Sequence, residues 1–319
     1  MSPTKEKLRY FHISFFAPVM GMAGLALSWR RAHETLAMPV LAGQVLTVLS
    51  ILMFLAVTGF YALKLARHRT EVLEEWHHPI KLSFFPAFSI SLLLVSMLIL
   101  GPLPAVSRVL WISGAAVHLV LTVYVLTQWM HQTHFTIQHS TPAWFIPVVG
   151  NILVPIAGVQ HGFVEASWFY FSIGLVYWLV LQVLVFNRVI FHDPMPAKLL
   201  PTLFILVAPP AVGFLSYLQL AGALDGFARI LYFNAAFLVL LLLTQFRRFL
   251  SARFYLSWWA YSFPLAAFSI ASQVYFENTG NAFFLWIAYG SLLLATAVIG
   301  LLAVRTVKEI VNGSVFEPD

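Results

Sequence analysis

The feature that most constrains this chain is a series of long apolar runs that contain no charged side chain. Residues 40–63 (VLAGQVLTVLSILMFLAVTGFYAL) and 284–304 (FLWIAYGSLLLATAVIGLLAV) are two examples. At about 1.5 Å per helical residue, each run is long enough to cross a bilayer core of about 30 Å. Charged residues make up 9% of the chain, whereas a soluble domain carries roughly 25%. These features predict a polytopic α-helical membrane protein.

Polar or turn-rich stretches, such as GPLP at 101–104 and FENTGN at 276–281, divide the apolar sequence into ten predicted transmembrane helices. The predicted spans are 12–28, 41–64, 83–101, 107–130, 144–160, 167–187, 201–220, 226–246, 256–276 and 282–304. We expect them to form one transmembrane domain over residues 1–319, with short cytoplasmic tails at 1–11 and 305–319. The first apolar run lacks a small-residue cleavage site, so we interpret it as a retained helix.

Lys and Arg residues are distributed unevenly between the two sides of these spans. With the N-terminus inside, 14 of the 18 Lys and Arg residues fall in inner segments, and Arg30, Arg31, Arg108 and Arg229 fall in outer ones. Cytoplasmic loops of membrane proteins carry an excess of Lys and Arg. Both termini are therefore predicted to lie in the cytoplasm.

Proline recurs inside the odd-numbered predicted helices and is absent from the interior of the even-numbered ones. The five prolines are Pro18, Pro86, Pro155, Pro209 and Pro264, at successive spacings of 68, 69, 54 and 55 residues. Each spacing is close to the length of one helical hairpin with its loops. The alternation predicts an internal repeat of five hairpins, each with one broken and one intact helix.

Proline breaks predict which helices face inward. A carbonyl freed by proline in hydrocarbon costs several kcal/mol unless protein or a water-filled cavity receives it. We therefore expect the five odd helices to surround a central pore with quasi-fivefold symmetry, and the even helices to face lipid. The alternative is that these prolines are ordinary kinks in tightly packed membrane helices, where proline is common.

Ionisable side chains are absent from the middle of the predicted spans, apart from His118 in the fourth. Ion-coupled carriers usually keep an ionisable group there. We interpret His118 as a hydrogen-bonded structural histidine rather than a proton relay. No nucleophile elbow, phosphate loop or carboxylate pair is present. The sequence therefore predicts a protein that is not an enzyme, with no cofactor and no nucleic-acid partner.

A loose histidine cluster follows the fourth predicted span, in the stretch MHQTHFTIQHS. His131, His134 and His139 have no carboxylate or cysteine beside them, and the chain has no cysteine at all. Metal centres in proteins usually combine histidine with such ligands. We interpret this stretch as a wet cytoplasmic loop and expect no metal site.

Residues 256–272 (LSWWAYSFPLAAFSIAS) contain Trp, an aromatic residue, Ser, Phe and Pro in order. This segment resembles the ninth helix of the family of the tellurite-resistance protein TehA and the slow-type anion channels of plant guard cells. HHPIKLSFFPAF at 77–88 is similar to the entry into its third helix. VVGNILVPIAG at 148–158, LPTLFILVAPPAVGFLSY at 200–217 and ARILYFNAAFLVLLLL at 228–243 are similar to its helices five, seven and eight. The similarity runs from about residue 10 to 305.

This resemblance implies a bacterial inner (plasma) membrane protein of ten helices in five hairpins. It also implies a homotrimer with one pore per subunit. Plant members conduct chloride and nitrate, and fungal relatives export sulfite or take up malate. A phenylalanine before the break in helix nine plugs the family's pore, and the matching residue here is Phe263. Phe15, Phe16, Phe85 and Ala208 are possible further pore-lining residues; alternatively, Phe263 merely packs against the first three.

The expected activity is passage of small monovalent anions through an uncharged pore. A lumen without a basic ring favours anions that lose water cheaply, so nitrate or iodide is expected to exceed chloride. Two alternatives stay open. One is a secondary carrier for a tellurite-, sulfite- or malate-type substrate, and the other is a membrane module that senses or scaffolds without transport.

Overall fold

The computed structural model describes residues 8–133, 135–250 and 254–312, and within them the regular structure is entirely helical. The longer helices are labelled α1 to α10. Their bounds are α1 Phe16–Leu36, α2 Val40–Arg67, α3 Pro86–Leu98, α4 Pro104–His131, α5 Phe145–Gly158, α6 Val164–Phe191, α7 Ala208–Ala221, α8 Gly226–Leu243, α9 Ser262–Thr279 and α10 Ala282–Asn312. Two shorter α-helices, Arg69–His77 and Phe246–Leu250, lie in connections.

Eight helical segments of the described chain are long and apolar enough to cross a membrane, so the chain is a multi-pass membrane protein. The predicted spans 144–160 and 256–276 are not among these eight. The first corresponds to Pro142–Gly158, a shorter apolar segment. The second corresponds to the α9 region, where serine, glutamine, glutamate and asparagine side chains reduce the apolar character.

A 3-10 segment precedes each odd-numbered helix of the described chain. These segments are Ile13–Phe15, Lys81–Phe84, Pro142–Trp144, Leu200–Val207 and Leu256–Tyr261. A 3-10 turn is tighter than an α-turn and has poorer hydrogen-bond geometry. Each odd-numbered helical segment is therefore composite, and the change from 3-10 to α-helical geometry lies within the apolar stretch of sequence.

Four of the five predicted proline breaks lie at these junctions rather than in helix interiors. Pro86 is the first residue of α3, Pro209 the second of α7, and Pro18 and Pro264 the third of α1 and α9. The first amide groups of an α-helix have no α-helical acceptor, so proline there forfeits no α-helical hydrogen bond. These prolines start α-helices, and the cost of an interior break does not apply to them.

The helix α5 contains two prolines with different roles. Pro155 lies inside the helix, as the sequence predicted. Pro147 is the third residue of α5, which is the position that Pro18 and Pro264 occupy in their helices. With Pro147 in place of Pro155, the spacings become 68, 61, 62 and 55 residues. Pro147 is therefore the structural counterpart of the other four.

The odd helices pack against one another. Within the described chain, α1 contacts α3 and α9, α5 contacts α3 and α7, and α7 contacts α9. Each even helix packs against the odd helix before it and also contacts the next odd helix, with α10 contacting α1. In the even helices, 22–39% of the most apolar stretch is buried inside the protein, against 61–83% in the spans that contain α1, α3 and α7. The even helices therefore carry most of the apolar surface that faces lipid.

A buried charge pair lies where α2 meets the following short helix. Lys64 is 1% exposed, and its Nζ donates to Glu75 Oε1 at 2.8 Å and to the Phe11 carbonyl at 2.9 Å. The hydroxyl of Tyr61 donates to Glu75 Oε2 at 2.8 Å. Buried charges are tolerated when they are paired and hydrogen bonded. This cluster ties the segment before α1 to α2 and to Arg69–His77.

Candidate functional site

Two cavities lie end to end between the odd helices. The smaller has a volume of about 40 Å³ and the larger about 260 Å³. Leu153, Val212 and Phe263 line both cavities. The boundary between the cavities is therefore made by one side chain from each of α5, α7 and α9.

The smaller cavity lies near the beginnings of the odd helices and has no charged residue in its lining. Its residues come from α1, α3, α5, α7, α9 and the 3-10 segment before α7. They are Met20, Ile90, Phe145, Ile146, Val149, Gly150, Leu153, Ile205, Ala208, Val212 and Phe263. Such a surface offers an ion no direct replacement for its hydration shell.

The larger cavity extends toward the ends of the same helices and becomes polar there. Its polar lining residues are Arg30, Arg31, Glu34, Gln160 and Gln219. The apolar ones are Gly24, Leu27, Leu94, Met97, Leu100, Leu153, Ile156, Val212, Leu215, Leu218, Phe263, Ala267, Ile270 and Val274. In each odd helix, the residues that line the smaller cavity come before, or coincide with, those that line the larger cavity. The helices α1, α3, α5, α7 and α9 therefore run in the same direction beside the two cavities.

Phe263 lies at the boundary because of its neighbours in α1 and α9. It is the second residue of α9 and is half-buried. A Cβ built on Gly24 would lie 3.3 Å from Phe263 Cδ2 and 3.1 Å from Ala266 Cβ. Such distances are tighter than ordinary contacts, so the bare glycine leaves room for the phenyl ring against α1. Small residues of this kind allow membrane helices to approach closely.

The lining residues follow helical spacing. In α9 they are 263, 267, 270 and 274, and in α7 they form the series 208, 212, 215 and 219, with 218 beside it. In α1 the series 20, 24, 27 and 31 has the same steps. Residues three and four apart share one face of a helix. The sequence carried this signal, but in an almost wholly apolar chain nothing distinguishes this face from a packing face.

The predicted lining residues separate into two groups. Ala208 lines the smaller cavity, and Phe15, Phe16 and Phe85 line neither of the two cavities. The three phenylalanines are buried among other aromatic side chains: Phe15 stacks on Phe11, Phe16 contacts Phe54, Tyr61 and Phe88, and Phe85 contacts Tyr61 and Trp76. They lie in or beside the 3-10 segments that precede α1 and α3, and Phe16 and Phe85 make ring contacts with α2 or Arg69–His77. Ile146, which the sequence did not single out, lines the smaller cavity and precedes Pro147.

His118 is fully buried and hydrogen bonded, as expected for a structural histidine. The hydroxyl of Ser89 donates to the Pro86 carbonyl at 2.8 Å and lies 2.9 Å from His118 Nδ1. That nitrogen therefore donates to Ser89 Oγ. The other nitrogen, Nε2, has no hydrogen-bond partner among the described residues. It lies behind Gly150, one of the residues that line the smaller cavity.

The other histidines of the predicted loop form local contacts. His131 Nδ1 donates to the Thr127 carbonyl at 3.0 Å, and His139 Nδ1 lies 3.2 Å from the Thr136 amide nitrogen. His134 lies outside the described residues. Among those that are described, no group of three or more His, Asp or Glu side chains is placed to hold a metal ion.

The fold and these cavities define a multi-pass helical membrane protein with two adjoining cavities between its odd helices. Residues 10–307 match the sequence profile of the SLAC1 family, described as voltage-dependent anion channel. The chain belongs to this family, as the sequence resemblance predicted.

Relatives of this chain include plant and bacterial proteins. It is 29% identical to the S-type anion channel SLAH2 and 30% identical to the S-type anion channel SLAH3, both of Arabidopsis thaliana. These similarities cover 97% and 94% of this chain but 61% and 48% of the relatives' lengths. The tellurite resistance protein TehA homolog of Haemophilus influenzae is 23% identical over 95% of this chain and 92% of its own length.

Proposed function

We propose that this protein conducts small monovalent anions, such as nitrate and chloride, along the two cavities and that Phe263 closes the passage. The observation that carries the proposal is that Phe263 lines both cavities at their boundary. Family membership supports anion transport, since the plant relatives are named S-type anion channels. A phenyl ring blocks an ion by its volume and by offering nothing in exchange for lost hydration.

In this proposal, ten membrane-crossing helices form five hairpins, and the five odd helices surround the passage with quasi-fivefold order. The mutual contacts of α1, α3, α5, α7 and α9 support this arrangement, as do the two cavity linings, which contain no residue of an even helix. Pro18, Pro86, Pro147, Pro209 and Pro264 mark equivalent junctions in it. Pro155 is an additional break within α5.

The same proposal places the protein in a bacterial inner membrane, with both termini in the cytoplasm and one transmembrane channel domain spanning the chain. The distribution of Lys and Arg supports this orientation. We also propose a homotrimer with one passage per subunit, on the family resemblance. The exposed apolar faces of the even helices are compatible with contacts to lipid and to neighbouring subunits.

An opened passage is expected to prefer anions by their cost of dehydration. The smaller cavity has no charged lining residue, so weakly hydrated nitrate should exceed chloride in permeability. Opening requires the Phe263 ring to leave a partly buried position. Full burial of such a side chain stabilises it by about 1.5–3 kcal/mol, which sets an upper range for the bias that an opening signal must supply.

A second candidate function is carriage of a larger oxyanion or a dicarboxylate. The larger cavity, at about 260 Å³, has room for more than a bare halide, and one relative is named for tellurite resistance. A carrier requires alternating access and saturating, substrate-coupled exchange. Electrical currents that continue without exchange substrate would favour the channel, whereas obligatory counterflow would favour the carrier.

The decisive experiment compares the wild type with Phe263→Ala in proteoliposomes and planar bilayers. We expect Phe263→Ala to raise nitrate and chloride conductance at least tenfold, with nitrate above chloride in reversal-potential measurements. Phe268→Ala is the matched control: Phe268 lies on the same helix, is 5% exposed and stacks on Tyr232, but lines neither cavity. Equal currents from the two variants, or none from Phe263→Ala, would refute the proposed gate.

A further inference from the structure

The polar end of the larger cavity contains two arginines in different electrostatic situations. Arg31 is paired with two carboxylates, because Nη1 pairs with Glu34 Oε2 at 3.0 Å and Nη2 pairs with Glu277 Oε2. Arg30 has no carboxylate partner among the described residues. Arg30 is therefore the arginine of this cavity lining whose guanidinium stays open to an anion.

Neighbouring backbone holds Arg30 in place. A Cβ built on Gly43 of α2 would lie 2.8 Å from Arg30 Cγ, so the arginine stem crosses α2 where that helix has no side chain. The guanidinium Nη1 donates to the Leu98 carbonyl at the end of α3. A helix C-terminus carries partial negative charge and attracts cations. Arg30 is thus anchored at its stem and at one of its five N–H groups.

An anchored guanidinium with free donors is suited to planar oxyanions. Its N–H groups form a flat fork that matches two oxygens of a carboxylate-like or trigonal anion. The cavity beside it, of about 260 Å³, can hold such an ion with several waters, each of which takes about 30 Å³ in the liquid. The rim also offers the carboxamides of Gln160 and Gln219, which are neutral hydrogen-bond donors.

We propose that Arg30 is the docking residue for a singly charged trigonal oxyanion, such as nitrate, at the polar end of the larger cavity. This inference rests on the proposed anion passage and adds a binding step before the uncharged constriction. A partly hydrated anion collects against Arg30 and then loses its remaining water on the way to Phe263. A fixed charge at a pore mouth raises the local anion concentration and falls in influence as salt screens it.

The test measures conductance against symmetrical nitrate or chloride concentration in planar bilayers, with Phe263→Ala as the conducting parent. We expect Arg30→Gln to raise the half-saturating nitrate concentration at least fivefold, with little change in conductance at saturation. Arg30→Lys keeps the charge but loses the planar fork, so it should raise the value for nitrate and leave that for chloride near the parent's.

Two controls separate local docking from general changes of charge. Arg108→Gln removes one positive charge from a residue that lines neither cavity. Arg229→Gln removes one positive charge at a second residue that lines neither cavity. Both should keep the parent's half-saturating concentrations.

The outcomes separate this inference from the gate. If the Phe263→Ala parent carries no current, the proposed passage fails. If it conducts and Arg30→Gln matches the parent or Arg108→Gln, only the docking site fails. Should Arg30→Gln not yield folded protein, Arg30→Lys decides: unchanged nitrate saturation, or equal shifts for nitrate and chloride, would overturn the docking of a trigonal oxyanion.

Discussion

Gly150→Ala tests the packing of α5 against α4 beside the smaller cavity. A Cβ built on Gly150 would lie closer than 3.0 Å to Cε1 and Nε2 of His118, and 2.9 Å from Ile90 Cδ1. Ordinary van der Waals contact for such a carbon begins at 3.4 Å. The imidazole must therefore retreat, or α5 must move away from α4.

The expected cost combines overpacking with a weakened hydrogen bond. Inserting a methyl group into a well-packed core typically costs about 1–3 kcal/mol. Displacing the ring also lengthens the 2.9 Å contact between His118 Nδ1 and Ser89 Oγ, and a typical hydrogen bond contributes about 0.5–1.5 kcal/mol. We expect Gly150→Ala to lower the free energy of unfolding by about 2–4 kcal/mol.

The assay is equilibrium unfolding in mixed detergent micelles, with thermal unfolding as a second readout. Gly290→Ala is the matched control, because a Cβ on Gly290 in α10 meets nothing within 4 Å. That variant should be neutral or more stable, since alanine is favoured over glycine in a helix by roughly 0.5–1 kcal/mol. The double variant Gly150→Ala with His118→Ala should lose less stability than the sum of its single changes.

Two results would refute this reasoning. Gly150→Ala with wild-type stability would mean that the methyl group is accommodated without moving His118. Additive losses in the double variant would mean that the cost of the methyl group does not come from the imidazole. Either result would show that Gly150 is not packed against the His118 imidazole in the way that we infer.

Two further predictions concern polar groups outside the passage. Lys64→Met and Glu75→Gln should each lower the free energy of unfolding by about 3–5 kcal/mol, because each leaves one buried charge without its partner. In the same unfolding assay, the double variant should lose less free energy than either single variant. Asp225→Ala should lower the thermal midpoint at pH 7, since Asp225 accepts a hydrogen bond from the Ala228 amide, which lowers the pKa of its carboxyl group. A lowered pKa stabilises the folded protein at pH values above the pKa of the unfolded state. The difference in thermal midpoint between wild type and Asp225→Ala should therefore vanish as the pH falls through the pKa of the folded state. A difference that stays constant with pH would contradict this.

The apolar runs located the long helices because a membrane crossing imposes both length and composition. The ends of the even helices were placed less well. The predicted span 282–304 corresponds to Ala282–Asn312, and 167–187 to Val164–Phe191. A helix continues beyond the hydrocarbon as long as its backbone hydrogen bonds continue, and hydropathy does not report this extension.

Proline position carried more information than proline presence. Pro155 and Pro147 both lie in α5, and the spacing of Pro155 from Pro86 resembled that of the first repeat. Their roles differ because one lies inside the helix and the other in its first turn. That distinction depends on where the 3-10 segment Pro142–Trp144 ends, which no composition rule reports.

The sequence offered single residues of the candidate site and not their arrangement. Phe263 was named from its match to the family's ninth helix, and Ala208 was named as a possible lining residue. Arg31 and Glu277 are 246 residues apart in sequence, so their pairing, and the contrast with Arg30, which has no carboxylate partner among the described residues, could not be derived without the packing of α1 against α9.

The proposed quasi-equivalence of α7 and α9 leads to one last prediction. Ala208 and Phe263 both line the smaller cavity and both precede the proline that starts a helix, Pro209 or Pro264. If the passage has the proposed fivefold order, a phenyl ring should close it from either helix. Ala208→Phe should therefore return the currents of Phe263→Ala toward those of the wild type, in the planar-bilayer assay.

Position along the passage provides the control for this exchange of rings. Gln219 lies on the same face of α7 but lines only the larger cavity, where a phenyl ring has too much space around it to block an ion. Gln219→Phe in the Phe263→Ala background should leave the currents high. If Ala208→Phe leaves them equally high in a protein that still folds, α7 and α9 do not present equivalent positions to a shared axis. Closure would then depend on the particular surroundings of Phe263, including its contact with Gly24, rather than on the symmetry of the odd helices.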